Sequence, residues 1–122
     1  MTLGNHDLEM PQEKLIWRMK ESSFPWLGAN VQQDPEDSNH SLRLDPYKVL
    51  ERNGVRIGIL GMTTPGIPIW LDSPKLKGFS FQDILSSSRK WVSVLKNQEK
   101  VDLLIGLFPV SYTHLTLPTT LV

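Results

Sequence analysis

The sequence predicts an α/β fold in which short strands alternate with two amphipathic helices. The strongest observation is a pair of β-type runs on either side of Asn53-Gly54, a dipeptide that suits the positive φ angles of a type I′ hairpin turn. A second is the helical spacing of apolar residues after Phe81, and a third is the apolar run at 101–108. Strand, helix, strand, hairpin, helix and strand therefore follow one another along the chain.

The N-terminal third predicts a strand end, a turn, a helix and a second strand. Gly4 is expected to supply backbone freedom for the turn that follows the opening residues. Pro11 and the apolar residues after it, at helical spacing, predict a helix over 11–22. We expect the next strand to run from about Trp26 to Val31, followed by a polar loop rich in turn-forming residues.

The rest of the chain predicts a hairpin, a loop, a helix and a final strand. The second hairpin strand, about 55–62, becomes continuously apolar, which is typical of a strand covered on both faces. A Pro-rich loop follows it, and the helix expected from Phe81 onward carries one apolar stripe. The stripe consists of Ile84, Leu85, Trp91, Val92 and Leu95, with Ser88 filling the gap. The run at 101–108 predicts another buried strand.

The composition restricts the possible partners. Lys and Arg together number 13, and Asp and Glu together also number 13, so no excess charge attracts a nucleic-acid polymer or an anionic membrane. The 39% hydrophobic and 21% charged content is that of a globular domain. The chain has no Cys, no apolar run of membrane-spanning length and no segment with the pattern of a signal peptide.

The tetrapeptide Gly-Asn-His-Asp at 4–7 combines side chains that suit phosphoryl-transfer chemistry. The amide oxygen of Asn5 is a neutral ligand that suits a divalent metal already bound by carboxylates. The imidazole of His6 can stabilise charge on a phosphoryl group or donate a proton to a leaving group. The alternative interpretation is an Asn-capped turn with a solvent-facing His.

Four segments together resemble the calcineurin-like metallophosphoesterases, in the branch of bacterial 5′-nucleotidases and 2′,3′-cyclic-nucleotide phosphodiesterases. They are TLGNHDLE, FPWLGANV, DPYKVLERNGVRIGILGMTTPGIPIW and VDLLIGLF, in that order. The resemblance covers residues 1–108, which it identifies as the central fragment of a catalytic domain. It implies a partial sandwich of two mixed sheets flanked by helices.

The resemblance also implies a function and two site residues. Asn5 matches the family's metal-binding Asn, and His6 matches the catalytic His that contacts the phosphate and assists the leaving group. The implied activity is hydrolysis of nucleotide phosphoesters by a mechanism with two divalent metal ions, such as Mn, Zn or Fe. The implied location of the parent protein is periplasmic, cell-surface or secreted.

The chain departs from the family pattern at both ends. The family has Asp-x-His and Gly-Asp-x-x-Asp motifs before its Gly-Asn-His motif, a His after the strand that matches VDLLIGLF, and then a Gly-His-x-His motif. Here Pro109 follows that strand. We therefore expect Met1 to be an internal residue of a longer protein, and this chain alone to bind no metal and to be inactive. Residues 109–122 resemble translated sequencing-adapter sequence, and we expect a non-family tail that is artefactual or disordered.

Two other hypotheses remain open at this stage. The chain could be a non-catalytic α/β binding module in which Gly-Asn-His-Asp is a relic. The parent could also be a phosphodiesterase, or another phosphoesterase, with a different substrate.

Overall fold

A computed structural model describes residues 1–34, 42–71 and 76–109 of the chain. Its elements are a short 3-10 helix His6–Glu9, α1 Gln12–Glu21, β1 Trp26–Leu27, β2 Val31–Gln33, β3 Leu44–Asp45, β4 Tyr47–Arg52, β5 Val55–Gly61, α2 Ile67–Trp70, β6 Phe79–Phe81, α3 Ile84–Asn97 and β7 Leu103–Leu107. Helices and strands occur together in one mixed arrangement, so the predicted α/β class is confirmed. All of the predicted tail except Pro109 lies outside the described residues.

The described strands form three small sheets. Strands β1 and β3 pair in parallel, and β2 pairs with β6 in antiparallel orientation. The largest sheet has the order β4-β5-β7, in which β4 is antiparallel and β7 is parallel to the central β5. This mixed sheet carries helix α3 on one face. The arrangement agrees with the predicted partial sandwich of sheets and helices.

The hairpin prediction is confirmed by its backbone angles. Asn53 has a φ of 51° and Gly54 a φ of 80°, and both values lie in the left-handed region that a type I′ turn requires. Arg52 lies opposite Val55 across the two-residue turn. The local sequence therefore sets the register of β4 against β5.

The single strand predicted from Trp26 to Val31 is wrong, because the chain turns within it. The amide of Val31 donates to the carbonyl of Gly28 at 3.2 Å, so the backbone bends between β1 and β2. The amide of Ala29 donates instead to the carbonyl of Gly61 at the end of β5, at 2.7 Å. The two short strands that result pair with different partners, β3 and β6.

Helix α1 confirms the predicted first helix, and α3 begins later than expected. Phe81 belongs to β6 and lies opposite Val31, so it cannot start the helix. Asp83 is the N-cap of α3, because its Oδ2 accepts a hydrogen bond from the amide of Ser86 at 2.8 Å. The Pro-rich loop contains one unexpected helical turn, α2.

The buried side chains form two clusters. The first surrounds α1 and comprises Leu3, Leu8, Leu15, Met19, Trp26, Leu42, Ile67 and Leu76. The second lies between the mixed sheet and α3 and comprises Leu60, Met62 and Leu95, with Trp91, Val92 and Leu104 packed against them. No helix in the described part of the chain is long and apolar enough to cross a lipid bilayer.

The burial predicted for the last strand is wrong. The side chains of Leu103, Ile105 and Leu107 are 49%, 40% and 39% exposed. They point away from α3, on the same face as Ile57 and Ile59 of β5, because residues paired across a sheet share a face. We call this the open face of the mixed sheet, and the face packed on α3 the helix-covered face.

Candidate functional site

The turn that holds Asn5 and His6 is fixed at both ends by burial. Thr2 forms a parallel bridge with Leu27, and the amide of Leu3 donates to the carbonyl of Leu27 at 2.9 Å. Leu3 is fully buried, and Leu8 on the far side of the turn is 2% exposed. Both leucines belong to the first cluster, so the polar residues between them are held at the surface.

The turn closes through hydrogen bonds between Gly4 and Asp7. The amide of Asp7 donates to the carbonyl of Gly4 at 3.2 Å. In the other direction, the amide of Gly4 donates to the carboxylate Oδ2 of Asp7 at 2.8 Å. The side chain that follows the Asn-His pair therefore belongs to the turn itself.

The expected need for glycine at position 4 is wrong. Among the described residues, positive φ values occur only at Asn53, Lys100, Gly54 and Gly78. A Cβ added to Gly4 would come no closer than 3.5 Å to Asp7 Oδ2, which is ordinary van der Waals contact. Position 4 therefore tolerates a small side chain, and the turn is shaped by hydrogen bonds instead of by backbone freedom.

Asn5 and His6 differ in their exposure. Asn5 is the N-cap of the 3-10 helix, is half-buried, and accepts a backbone hydrogen bond from the amide of Leu8 at 3.2 Å. The side chain of His6 is 81% exposed. Asn5 is thus partly shielded by the protein, whereas the imidazole of His6 extends into solvent.

Glu9 is a partner of His6 that the sequence alone did not reveal. Its Oε1 lies 3.1 Å from Nδ1 of His6. When Nδ1 carries the proton, it donates to this carboxylate, which orients the ring and leaves Nε2 for a substrate. The contact exists because residues three apart lie above one another in a 3-10 helix. The three-residue spacing of His6 and Glu9 is thus the sequence feature that could have predicted this contact. It predicts the contact only when the turn is known to be a 3-10 helix.

Pro109 lies beside this turn. A Cβ on Gly4 would be 3.9 Å from Cβ of Pro109, so the end of β7 and the Gly4–Asp7 turn are neighbours. This is the position at which the family resemblance leads one to expect a His. The structure thus places position 109 beside Gly4, the residue that precedes the two predicted site residues.

The described residues do not fit a metal ion by themselves. No group of three or more His, Asp or Glu side chains in the described ranges is arranged to hold one. Near Asn5, one oxygen of Asp7 accepts from Gly4 and one oxygen of Glu9 faces His6. A single neutral amide oxygen is too weak a donor set to replace the water shell of a divalent ion.

A buried amide, Asn30, joins the end of β5 to the segment that precedes α3. Its Nδ2 donates to the carbonyls of Thr63 at 2.7 Å and Gln82 at 3.1 Å, and its Oδ1 accepts from the amide of Thr63 at 2.9 Å. Asn30 is fully buried, so these bonds join the end of β5 to the segment before α3 in a protected setting. We assign Asn30 a structural function.

Comparison with known proteins identifies what the chain is similar to. No protein-family model matches the sequence. The 5′-nucleotidase of Vibrio cholerae is 32% identical over 108 residues, which are 88% of this chain and 19% of that protein. The chain thus spans about a fifth of the length of the curated relatives that it matches.

Two solved structures have the same fold over 88% of this chain. The 5′-nucleotidase precursor of Thermus thermophilus superposes with a TM-score of 0.76 at 29% identity, over 88% of this chain and 20% of that one. A calcineurin-like phosphoesterase of Bacillus subtilis superposes with a TM-score of 0.71 at 31% identity, over 88% of this chain and 33% of that one. In both sequence and fold, the chain resembles the 5′-nucleotidases and calcineurin-like phosphoesterases over 88% of its length.

Proposed function

We propose that this chain is a segment of a metal-dependent phosphoester hydrolase that acts on nucleotides, with Asn5 and His6 in its catalytic site. The observation that carries the proposal is the turn in which Asn5 and His6 stand side by side, with His6 held by Glu9 and with Pro109 alongside. The names of the relatives support nucleotides as the substrate class, because 5′-nucleotidases recur among them.

His6 is the residue that we expect to contact the phosphate. Its Nδ1 faces Glu9, so Nε2 is the nitrogen available to a phosphoryl or leaving-group oxygen. In the protonated ring, Nε2–H donates to that oxygen and offsets negative charge that develops there. Glu9 supports this role by fixing the ring, and its carboxylate need not touch the substrate.

Asn5 is the residue that we assign to a metal ion. The resemblance to calcineurin-like phosphoesterases implies two divalent ions in the intact enzyme, such as Mn, Zn or Fe, and these would supply Lewis-acid chemistry. Because one amide oxygen is an insufficient donor set, we expect the 122-residue chain by itself to bind no ion and to hydrolyse nothing. A solved relative named a 5′-nucleotidase precursor supports an exported parent protein.

The function can be tested by transplanting the segment into a complete enzyme. Residues 1–108 would replace the matching residues of the Vibrio cholerae 5′-nucleotidase, and hydrolysis of adenosine monophosphate would be measured. We expect His6→Ala and Asn5→Ala to lower kcat/KM by about 100-fold or more, which is typical for loss of a general acid or a charge-stabilising group.

Asn97→Ala is the matched control, because Asn97 is an exposed amide on α3 whose Nδ2 donates to Oγ of Ser93 in the same helix. It should leave kcat/KM unchanged. A folded and active chimera in which His6→Ala has no effect would contradict the proposal and would favour a relic motif. Separately, hydrolysis of an aryl phosphate by the purified 122-residue chain with Mn²⁺ would contradict the expected inactivity.

A further inference from the structure

The turn around Asn5 and His6 has weak backbone hydrogen bonds and one strong side-chain bond. The two backbone bonds within it, from Asp7 to Gly4 and from Leu8 to Asn5, are both 3.2 Å long. A 3-10 helix of four residues has poor hydrogen-bond geometry, so these bonds alone hold the turn loosely. The bond from the Gly4 amide to the Asp7 carboxylate is 2.8 Å long and is charge-assisted.

The position of that bond gives it a specific effect. It joins Gly4 to Asp7, and therefore closes a ring whose other two members are Asn5 and His6. Packing of Leu3 and Leu8 fixes the outer ends of the segment but not the two residues inside. Asp7 is half-buried beside Gly4, so its carboxylate is partly shielded from competing water.

We propose that Asp7 is a positioning residue for the catalytic pair, whose carboxylate locks the turn so that Asn5 and His6 face the substrate together. This inference rests on the proposed roles of Asn5 and His6. It assigns Asp7 no contact with a metal ion or a substrate. Without the carboxylate, the Gly4 amide loses its partner, and the His6–Glu9 pair is no longer presented on a closed turn.

The test uses the complete 122-residue chain and nuclear magnetic resonance at a single pH with neutral imidazole. Two quantities are measured: the hydrogen-exchange rate of the Gly4 amide, and the His6 tautomer from its ring nitrogen shifts. In Asp7→Ala we expect Gly4 exchange to accelerate by about tenfold or more, as for loss of a charge-assisted bond. The tautomer ratio of His6 should move toward that of a short unstructured peptide.

Asp83→Ala is the matched control, since Asp83 also accepts a 2.8 Å bond from a backbone amide three residues away, at the start of α3. It should leave Gly4 exchange and the His6 tautomer unchanged. Asp7→Asn keeps an acceptor oxygen, so its Gly4 exchange rate and His6 tautomer ratio should lie between those of the wild type and Asp7→Ala. The Trp91 indole resonance reports whether each variant keeps the second cluster folded.

The possible results separate clearly. Faster Gly4 exchange and a shifted His6 tautomer ratio in Asp7→Ala, with intermediate values of both in Asp7→Asn, support the inference. A Gly4 exchange rate and a His6 tautomer ratio equal to those of the wild type in Asp7→Ala overturn it. If Asp7→Ala unfolds, the comparison uses Asp7→Asn, and wild-type Gly4 exchange and His6 tautomer there also overturn it. None of these measurements requires catalysis, so an active chimera in which His6→Ala has no effect would refute the proposed function without deciding whether Asp7 locks the turn.

Discussion

The two faces of the mixed sheet differ in burial although both are built from apolar residues. On the helix-covered face, Leu60 is 1% exposed and packs near Leu95, which is fully buried. On the open face, Ile105 is 40% exposed. The same strands supply both faces, so the difference comes from α3 and not from hydrophobicity. An apolar strand is buried only where another element covers it.

The open face is covered at one point, where the first part of the chain crosses the end of β5. Gly61 lies there, and a Cβ on it would overlap Cβ of Leu27 and approach Thr2 Oγ1 to 2.7 Å. Thr2 and Leu27, which pair with each other, therefore both lie against the end of β5. Further along the same face, Leu103 and Ile105 have no comparable cover among the described residues.

The largest expected effect comes from truncating a residue on the helix-covered face. Leu95→Ala should lower the free energy of unfolding by about 2–5 kcal/mol, because it leaves a cavity between α3 and β5. Ile105→Ala on the open face should cost about 1 kcal/mol or less, since much of that side chain is already in water. Urea unfolding followed by tryptophan fluorescence measures both. Equal losses would show that the open face is covered in solution.

A smaller effect is expected from filling the crossing point. Gly61→Ala should lower the free energy of unfolding by about 1–3 kcal/mol, because the new methyl group meets the rigid Cβ of Leu27. Gly4→Ala is the control, since its methyl group makes only ordinary contacts, and it should change stability little. Thermal unfolding of the two variants distinguishes the sites. An unchanged midpoint in Gly61→Ala would mean that β1 can move away from β5 at no cost.

The smallest effect concerns the start of the covering helix. The amide of Ser86 donates to Asp83 and lowers the pKa of that carboxyl below its ordinary value. A pKa that is lower in the folded state adds stability above the unfolded-state pKa of about 4, and this stability is lost as the pH falls through the folded-state pKa. The wild type should therefore exceed Asp83→Asn in unfolding midpoint near neutral pH, and the difference should shrink below about pH 4.

That pH profile is measured by thermal unfolding of both proteins from pH 7 downward. A difference that stays constant through the acid range would contradict the role of the charged cap. The two proteins share every other titrating group, so the difference between them reports on the cap at the start of α3.

Several features of the fold and the site were predictable from the sequence for identifiable reasons. The hairpin followed from Asn53-Gly54, because only a few residue types adopt positive φ easily. The candidate pair Asn5 and His6 followed from the chemistry of their side chains and from the family resemblance. Their assignment to a metal and to the phosphate stays a prediction until the chimera is assayed.

Other features could not be predicted because they depend on residues distant in the sequence. The split of the expected Trp26–Val31 strand arises from a hydrogen bond between Ala29 and Gly61. The partnership of His6 with Glu9 required knowledge that the turn is a 3-10 helix. The tolerance at Gly4 depends on backbone angles that a Gly-Asn-His-Asp string does not specify.

The sequence by itself determined the α/β class, the hairpin register and the residues that carry the candidate chemistry. These properties depend on local backbone preferences, on apolar periodicity and on the functional groups themselves. Only the tertiary structure decided which apolar strand is covered, that Pro109 lies beside Gly4, and that Asp7 closes the turn. Such properties depend on which segments contact one another in the folded chain, because those contacts decide burial and hydrogen-bond partners.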